Sequence, residues 1–444
     1  MAMRLLTGMM VFLGALGTVN SSLGQSEDAE GGGPVTFQRV LDLTIQNSFK
    51  IALADEQVDS AFRSLEVAKR RRYPRLSAQG WFSGDLFEMD EWGGNNIGSY
   101  LALDWDFYQN GAILQMIAQS WANLTSALLT RRRTVSEQIY TATSLFYDAV
   151  KAKRDVEIAE QSFKLDDMRL AVVRSEFSER RRTRSELGDA EARAFESDLA
   201  LTRAGQDLRN AMRSLRQLTR DETIVAVEDL PRDIAWTLDF SVEDAVRTGL
   251  YYQPNVLIVK ANLELARLGV KYAKLKRWPS VRFLTGTDYA FAPLARPEEF
   301  GFRAGVILSY PLYDAGDRRF RIEEAKSGVR LGAIRLRQAH DQMEQEVSDS
   351  YAAVSNQLDL LRLAEKRHEK VRTDFAIARE QFGEKIIGEP EMTRIELLYL
   401  QSLQRIENLR LEALLARAKL LQNVGVSSTD EITAFINKGA EREK

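Results

Sequence analysis

Leu308-Ser309-Tyr310-Pro311-Leu312-Tyr313-Asp314-Ala315-Gly316 decides the fold, because this stretch has a counterpart earlier in the chain. Trp105-Asp106-Phe107-Tyr108-Gln109-Asn110-Gly111 carries the same order of aromatic, polar and closing glycine residues, and the two glycines are 205 positions apart, 316 minus 111. Outward from there, Arg72-Tyr73-Pro74 returns as Arg277-Trp278-Pro279, and 279 minus 74 is again 205. Phe177 pairs with Phe382 and Leu187 with Met392 at the same spacing. Chance similarity rarely keeps one offset across separated motifs, so the chain reads as a duplication. The halves span 35–218 and 240–424, joined by a less periodic linker, 219–239, around Leu230-Pro231-Arg232-Asp233.

Both halves open with a helical pattern rich in Ala, Leu, Lys and Arg, Phe37 to Arg72 and Val242 to Arg277. Each is expected to stop where Pro74 or Pro279 disfavours helix in the residue before it. Beyond the proline the hydrophobic period falls from 3.6 to 2. Leu76, Ala78, Gly80, Phe82, Gly84 and Leu86 alternate with Ser77, Gln79, Trp81, Ser83 and Asp85. From Ile97 to Phe107 the apolar residues take the odd positions; Val281 to Phe291 and then Phe302, Ala304, Val306, Leu308, Tyr310 and Leu312 repeat the theme. Two strand hairpins follow, at 76–108 and 281–312, with strands about ten residues long, the length that crosses a bilayer when tilted. Four strands cannot close a barrel, so the apolar faces call for several chains sharing one.

After Gly111 and Gly316 come helical runs to Phe177 and Phe382 without an internal proline. Some 65 residues at about 1.5 Å each reach roughly 100 Å. A seven-residue stripe runs through Leu128, Val135, Ala142, Ala149, Val156, Phe163, Leu170 and Phe177, as in a coiled coil. Returning helices carry Leu187, Ala194, Leu201, Leu208 and Leu215, echoed by Met392, Tyr399, Ile406, Ala413 and Leu420. The helical hairpins therefore cover 111–218 and 316–424, with turns at Ser178 to Ser185 and Gly383 to Pro390; Ser185-Glu186 and Pro390-Glu391 are the expected starts of the second helices.

The 444 residues include 61 basic and 64 acidic ones, a net charge of -3, which gives no bias toward nucleic acid. With no cysteine, thiol chemistry and an acylated N-terminal Cys are excluded, so the chain is expected not to be lipidated. Arg4, the apolar run from Leu5 to Val19 and Ser22-Leu23-Gly24 read as a secretory signal peptide over 1–24, followed by a linker over 25–34 and closed at the far end by a tail over 425–444.

Together these features resemble the TolC-like outer membrane efflux protein family. Leu308 to Gly316 is similar to its strand-to-helix signature, and Arg277-Trp278-Pro279-Ser280-Val281 to its helix-to-strand junction. The resemblance implies a mainly α fold with a membrane β-barrel portion: a homotrimer with a periplasmic α-barrel and one shared 12-stranded β-barrel. It further implies an outer-membrane location, contact with outer-membrane lipid, and docking onto a periplasmic adaptor (membrane fusion protein) and an inner-membrane pump. Acidic residues line the family's periplasmic constriction, and Glu186, Asp189 and Glu391 match by position, while Arg394 departs from that pattern. The hairpin tips are the expected adaptor contacts: Arg180, Arg181 and Arg182 on one, with Arg184 beside them, and Ile386, Ile387 and Gly388 on the other.

No catalytic residue, cofactor or metal site can be named. His340 and His368 fall on the helical stripe, 205 positions after Val135 and Phe163 (340 minus 135, 368 minus 163), where packing explains them. The spacing of Gly383 and Gly388 suits a phosphate loop, but Glu389-Pro390 replaces the required Lys-Ser/Thr. A periplasmic coiled-coil scaffold or adaptor without a pore is the rival reading; it would keep the helices and have no need of the strands.

Overall fold

The computed structural model describes residues 34–83, 96–109, 111–229, 240–291, 299–310 and 312–426. The expected signal peptide, most of the N-terminal linker, the strand-hairpin loops and the C-terminal tail from residue 427 lie outside these.

The described elements are α1 (Phe37–Asn47), α2 (Phe49–Arg70), β1 (Arg75–Ser83), β2 (Asn96–Tyr108), α3 (Ala112–Ser178), α4 (Arg184–Thr219), α5 (Val242–Tyr252), α6 (Pro254–Leu275), β3 (Ser280–Phe291), β4 (Glu299–Ser309), α7 (Asp317–Gly383) and α8 (Glu389–Val424). The fold is mainly α. Helices α3 and α7 are each 67 residues long, about 100 Å at 1.5 Å per residue. Each starts after a glycine in the left-handed region, Gly111 at φ 73° and Gly316 at φ 85°, which explains the glycine closing both signature stretches: a side chain there would strain the strand-to-helix corner.

The opening helix of each half is broken, where one continuous helix is expected from the sequence. Gln253, between α5 and α6, has extended backbone because Pro254 follows it and serves as a first helical residue. Ser48 holds the same place in the first half without a proline. Its hydroxyl donates to Gln138 Oε1 (3.2 Å), and Asn47 Nδ2 donates to the carbonyl of Thr219 (2.8 Å), an otherwise unpaired helix-end acceptor. Tertiary hydrogen bonds thus do at Ser48 what proline does at 254.

Two large apolar cores and a small one around Leu361, Ile406 and Leu409 are present among the described residues, and the first large core takes in Ile224 and Val227 of the linker. The first packs Val40, Phe146, Val150 and Leu215 with the Phe37, Phe146 and Tyr147 rings, and takes in Leu411 from α8. The second gathers Val256, Met343, Val347, Leu420 and Val424. The stripe on α3 is fully buried only at Ala142 and Ala149, beside the first core; on the returning helices Leu215, Ile406, Ala413 and Leu420 are buried.

The four strands form one antiparallel sheet in the order β1-β2-β3-β4. The last strand ends at Ser309, short of the expected 312, and Leu312 is 88% exposed. Pro311 has no N–H to offer a ladder, which is consistent with that stop.

Candidate functional site

Two surfaces could do the work of this chain: the sheet and the hairpin tips. In the sheet, register decides the chemistry. Leu76 is opposite Leu103 and Ala78 opposite Leu101. Trp105 is opposite Phe283, Phe283 opposite Val306 and Val281 opposite Leu308. Because side chains alternate and directly paired residues share a face, these residues form one continuous apolar surface across all four strands. Ser77, Asp104, Arg282 and Ser309 fall on the other face, where Arg282 donates to Asp106 (3.2 Å) beside an irregularity in the β2–β3 pairing. The apolar face is bare: Val306 is 67% exposed, and Leu76, Phe302 and Leu308 are exposed with it. Among the described residues, β1 pairs only with β2 and β4 only with β3, so both outer edges present unpaired backbone.

At the first tip, Arg180 takes φ 60° and the Arg181 N–H donates to the carbonyl of Glu176 (2.8 Å), closing α3 in a left-handed cap. Thr183 then caps α4, whose first residue Arg184 comes one position before the Ser185-Glu186 start expected from the sequence. Its hydroxyl accepts from the Glu186 N–H (3.3 Å), and its own N–H donates to Glu186 (2.8 Å). This is a capping box, spelled Thr183-x-x-Glu186 and legible in the sequence. Those bonds from Thr183, with Arg182 beside them, hold the Glu186 carboxyl below the usual glutamate range. Arg182 reaches both Glu176 (2.7 Å) and Glu186 (3.1 Å), and Arg181 pairs with Glu179 (3.3 Å). Of the crowded arginines, Arg180 and Arg184 have no ion pair among the described residues.

The second tip is built differently. Lys385 repeats the positive φ at 62°, but α8 is capped by Gly388, which has no side chain to close a box, and the helix starts at Glu389, one residue before the expected Pro390-Glu391. Ile386 is 65% exposed and Phe382 is exposed, while Ile387 is half-buried. Glu391 and Arg394 pair along α8 (2.5 Å), and Arg394 keeps the Glu391 carboxyl below its ordinary range. Asp189 is exposed on α4. Within one chain, therefore, Glu186 and Glu391 each lie one turn into a returning helix and each engages an arginine of its own tip.

Between sheet and tips, a cluster with no sequence signature ties the halves together. Arg154 on α3 pairs with Glu407 on α8, and both side chains are largely buried. Asp155 accepts from Gln404 Nε2 (2.7 Å), and Arg410 pairs with Glu365 (3.4 Å) and Glu407 (3.2 Å). Pairings 253 residues apart leave no local pattern, which is why reading the sequence misses them.

No described helix is long and apolar enough to cross a membrane. No curated protein matches the chain in sequence. Residues 250–426 match the family model described as Outer membrane efflux protein. Among solved structures, the CmeC outer membrane channel of Campylobacter jejuni aligns with a TM-score of 0.73 at 13% identity, over 92% of this chain and 93% of that one. CusC, from crystal structures that address folding and transmembrane channel formation, aligns at 0.72 with 15% identity, over 91% and 97%. The open state of the Neisseria gonorrhoeae MtrE outer membrane channel aligns at 0.70 with 14% identity, over 88% and 89%. Residues 250–426 thus carry the sequence pattern of the outer membrane efflux protein family, and the chain has the fold of these channels along nearly its whole length.

Proposed function

We propose that this protein is the protomer of an outer-membrane exit duct, a passive conduit from periplasm to exterior in a tripartite efflux or type I secretion system. Three chains would each give β1 to β4 to one 12-stranded barrel, and the long helices of two structural repeats, 35–218 and 240–424, would form the periplasmic tunnel. The observation carrying this reading is the sheet. Among the described residues its apolar face has no cover and its two edges have no partner, a combination that lipid and neighbouring protomers satisfy together. A pore-free periplasmic scaffold would leave that face in water.

In this reading the tips at Arg180 to Arg182 and Ile386 to Gly388 meet the adaptor, and Glu186, Asp189, Glu391 and Arg394 ring the periplasmic constriction. The inner-membrane pump selects cargo and the duct carries out no chemistry of its own. The deciding experiment is conductance of the purified protein in a planar bilayer, with its mass in detergent measured in parallel. Stepwise ion current from a trimer is the expected result; a monomer that stays soluble without detergent and passes no current refutes the reading.

A further inference from the structure

The two helix-to-strand corners carry an unusual charge. Segments 69–75 and 274–282 together contain nine Lys and Arg residues and no Asp or Glu, in a chain whose net charge is -3. The sheet begins immediately after each corner, with β1 at Arg75 and β3 at Ser280, so the cations sit in one band at the end of the apolar surface. Arg70, Arg71, Arg72, Lys276 and Arg277 are exposed, and neither they nor Lys274 make an ion pair among the described residues. Aromatic rings share the band. Tyr73 and Trp278 are exposed at the two corners, the Arg72 guanidinium lies 5.9 Å from the Tyr73 ring, and the Lys276 ammonium lies 4.7 Å from the Tyr272 ring. Cations that make no ion pair at the end of an apolar layer, two of them with their charged ends near aromatic rings, are placed to reach from that layer toward phosphates.

We propose that this band is a binding collar for anionic phospholipid headgroups, in which Arg70, Arg71, Arg72, Lys274, Lys276 and Arg277 of each protomer supply the counter-charge at the periplasm-facing edge of the barrel. The proposal rests on the membrane-barrel reading above. Arg75 and Arg282 are not part of the collar: Arg75 is opposite Asp104 and Arg282 bonds Asp106, which puts both on the polar face of the sheet. Two features favour lipid over an acidic protein as occupant. The band is continuous with the uncovered apolar face, and its aromatic residues are of the kind found where hydrocarbon meets water.

The test uses the full-length protein reconstituted in phosphatidylcholine vesicles containing spin-labelled phosphatidylcholine or spin-labelled phosphatidylglycerol. Electron spin resonance reports the fraction of each label slowed at the protein surface. The wild type is expected to prefer phosphatidylglycerol by about threefold or more at low salt, a preference that fades toward one at high ionic strength as headgroup charge is screened. Replacing all six collar residues by Gln should bring the ratio to one at every salt concentration while the total of slowed lipid stays the same. The milder triple variant Lys274→Gln, Lys276→Gln, Arg277→Gln should fall between the two, which guards against a six-site variant that fails to assemble. A wild-type ratio of one, or a six-site variant that keeps the wild-type ratio, overturns the collar. Absence of any slowed lipid would instead refute the membrane-barrel reading itself, so the two failures are distinguishable.

Discussion

Gly425, which ends α8, lies against Gln253 in the break between α5 and α6, so closely that a Cβ on Gly425 would come within 2.7 Å of the Gln253 Cα and 2.6 Å of the Tyr252 carbonyl oxygen. Its φ of 82° is itself a conformation that side chains resist, and its carbonyl accepts from Arg132 (3.1 Å). We expect Gly425→Ala to destabilise the fold by about 2 kcal/mol or more, combining left-handed strain with a backbone collision that no side-chain rotation relieves. Asn, which tolerates the left-handed region, relieves only the first part. Thermal unfolding of the two variants, followed by circular dichroism, checks both steps.

Arg154 and Glu407 join the two halves across largely buried surface, with 14% and 16% of their side chains exposed. Glu407→Leu alone should cost about 2–3 kcal/mol because it leaves the largely buried Arg154 guanidinium only the longer contact with Asp229 (3.9 Å) and takes a partner from Arg410. Pairing it with Arg154→Met should recover most of that loss. Denaturant unfolding of the double-mutant cycle gives the coupling, and additive losses would count against a direct pair.

Val306 and Ile307 are neighbours on β4 with opposite surroundings: Val306 is paired with Phe283 on the apolar face and Ile307 with Arg282 on the polar face. In a barrel, Val306→Arg should lower the yield of assembled, membrane-inserted protein sharply, at about 2–4 kcal/mol for a cation facing lipid near the midplane. Ile307→Arg should insert normally and alter conductance instead. Folding yield into detergent micelles and single-channel current separate the two outcomes, and equal effects would remove the case for a lipid-facing side.

His368 stacks on Tyr399, with ring centroids 5.4 Å apart, and its Nδ1 is 2.8 Å from the Ser402 hydroxyl. Partial burial first, then Arg372 and Arg410, pull its pKa below the ordinary 6.5. The folded protein thus holds fewer protons at this site than the unfolded chain. Its contribution is complete at pH above 6.5 and is lost as pH falls below that value. Melting temperature measured from pH 8 to pH 5 should decline more for the wild type than for His368→Gln.

The capping box at the first tip predicts a difference in local stability between the tips. Thr183→Ala removes the acceptor for the Glu186 N–H, and amides 184 to 187 should then exchange with solvent faster, while the Gly388 tip is unaffected. Acidification below the usual glutamate range should lower the protection of the same amides in the wild type, measured relative to their intrinsic exchange at each pH. Glu186 has a lowered pKa, so its stabilising carboxylate is present above that range and lost as the pH falls through it. Hydrogen exchange read by mass spectrometry at the two tips is the measurement.

Periodicity and punctuation were enough to give much of this protein. The change from period 3.6 to period 2 at Pro74 and Pro279 placed the strands, glycine at 111 and 316 placed the corners, and a stripe every seven residues placed the long helices, because each of these signals is local and depends on backbone geometry alone. The sequence showed four strands each with an apolar side; only the register of Leu103 with Thr285 and of Phe283 with Val306 put those sides on one surface. The helix break at Gln253 had a local signal in Pro254 that the expectation of one continuous helix passed over, whereas the matching break at Ser48 goes with hydrogen bonds to Gln138 and Thr219, residues far away in the chain. Likewise the Arg182–Glu186 and Glu391–Arg394 pairs follow from i,i+4 and i,i+3 spacing, whereas the Arg154–Glu407 tie between the halves came only with the folded arrangement. The physical reason is that local propensity and near-neighbour spacing fix what a segment becomes, while long-range charge pairing and strand register depend on which distant residue arrives beside it.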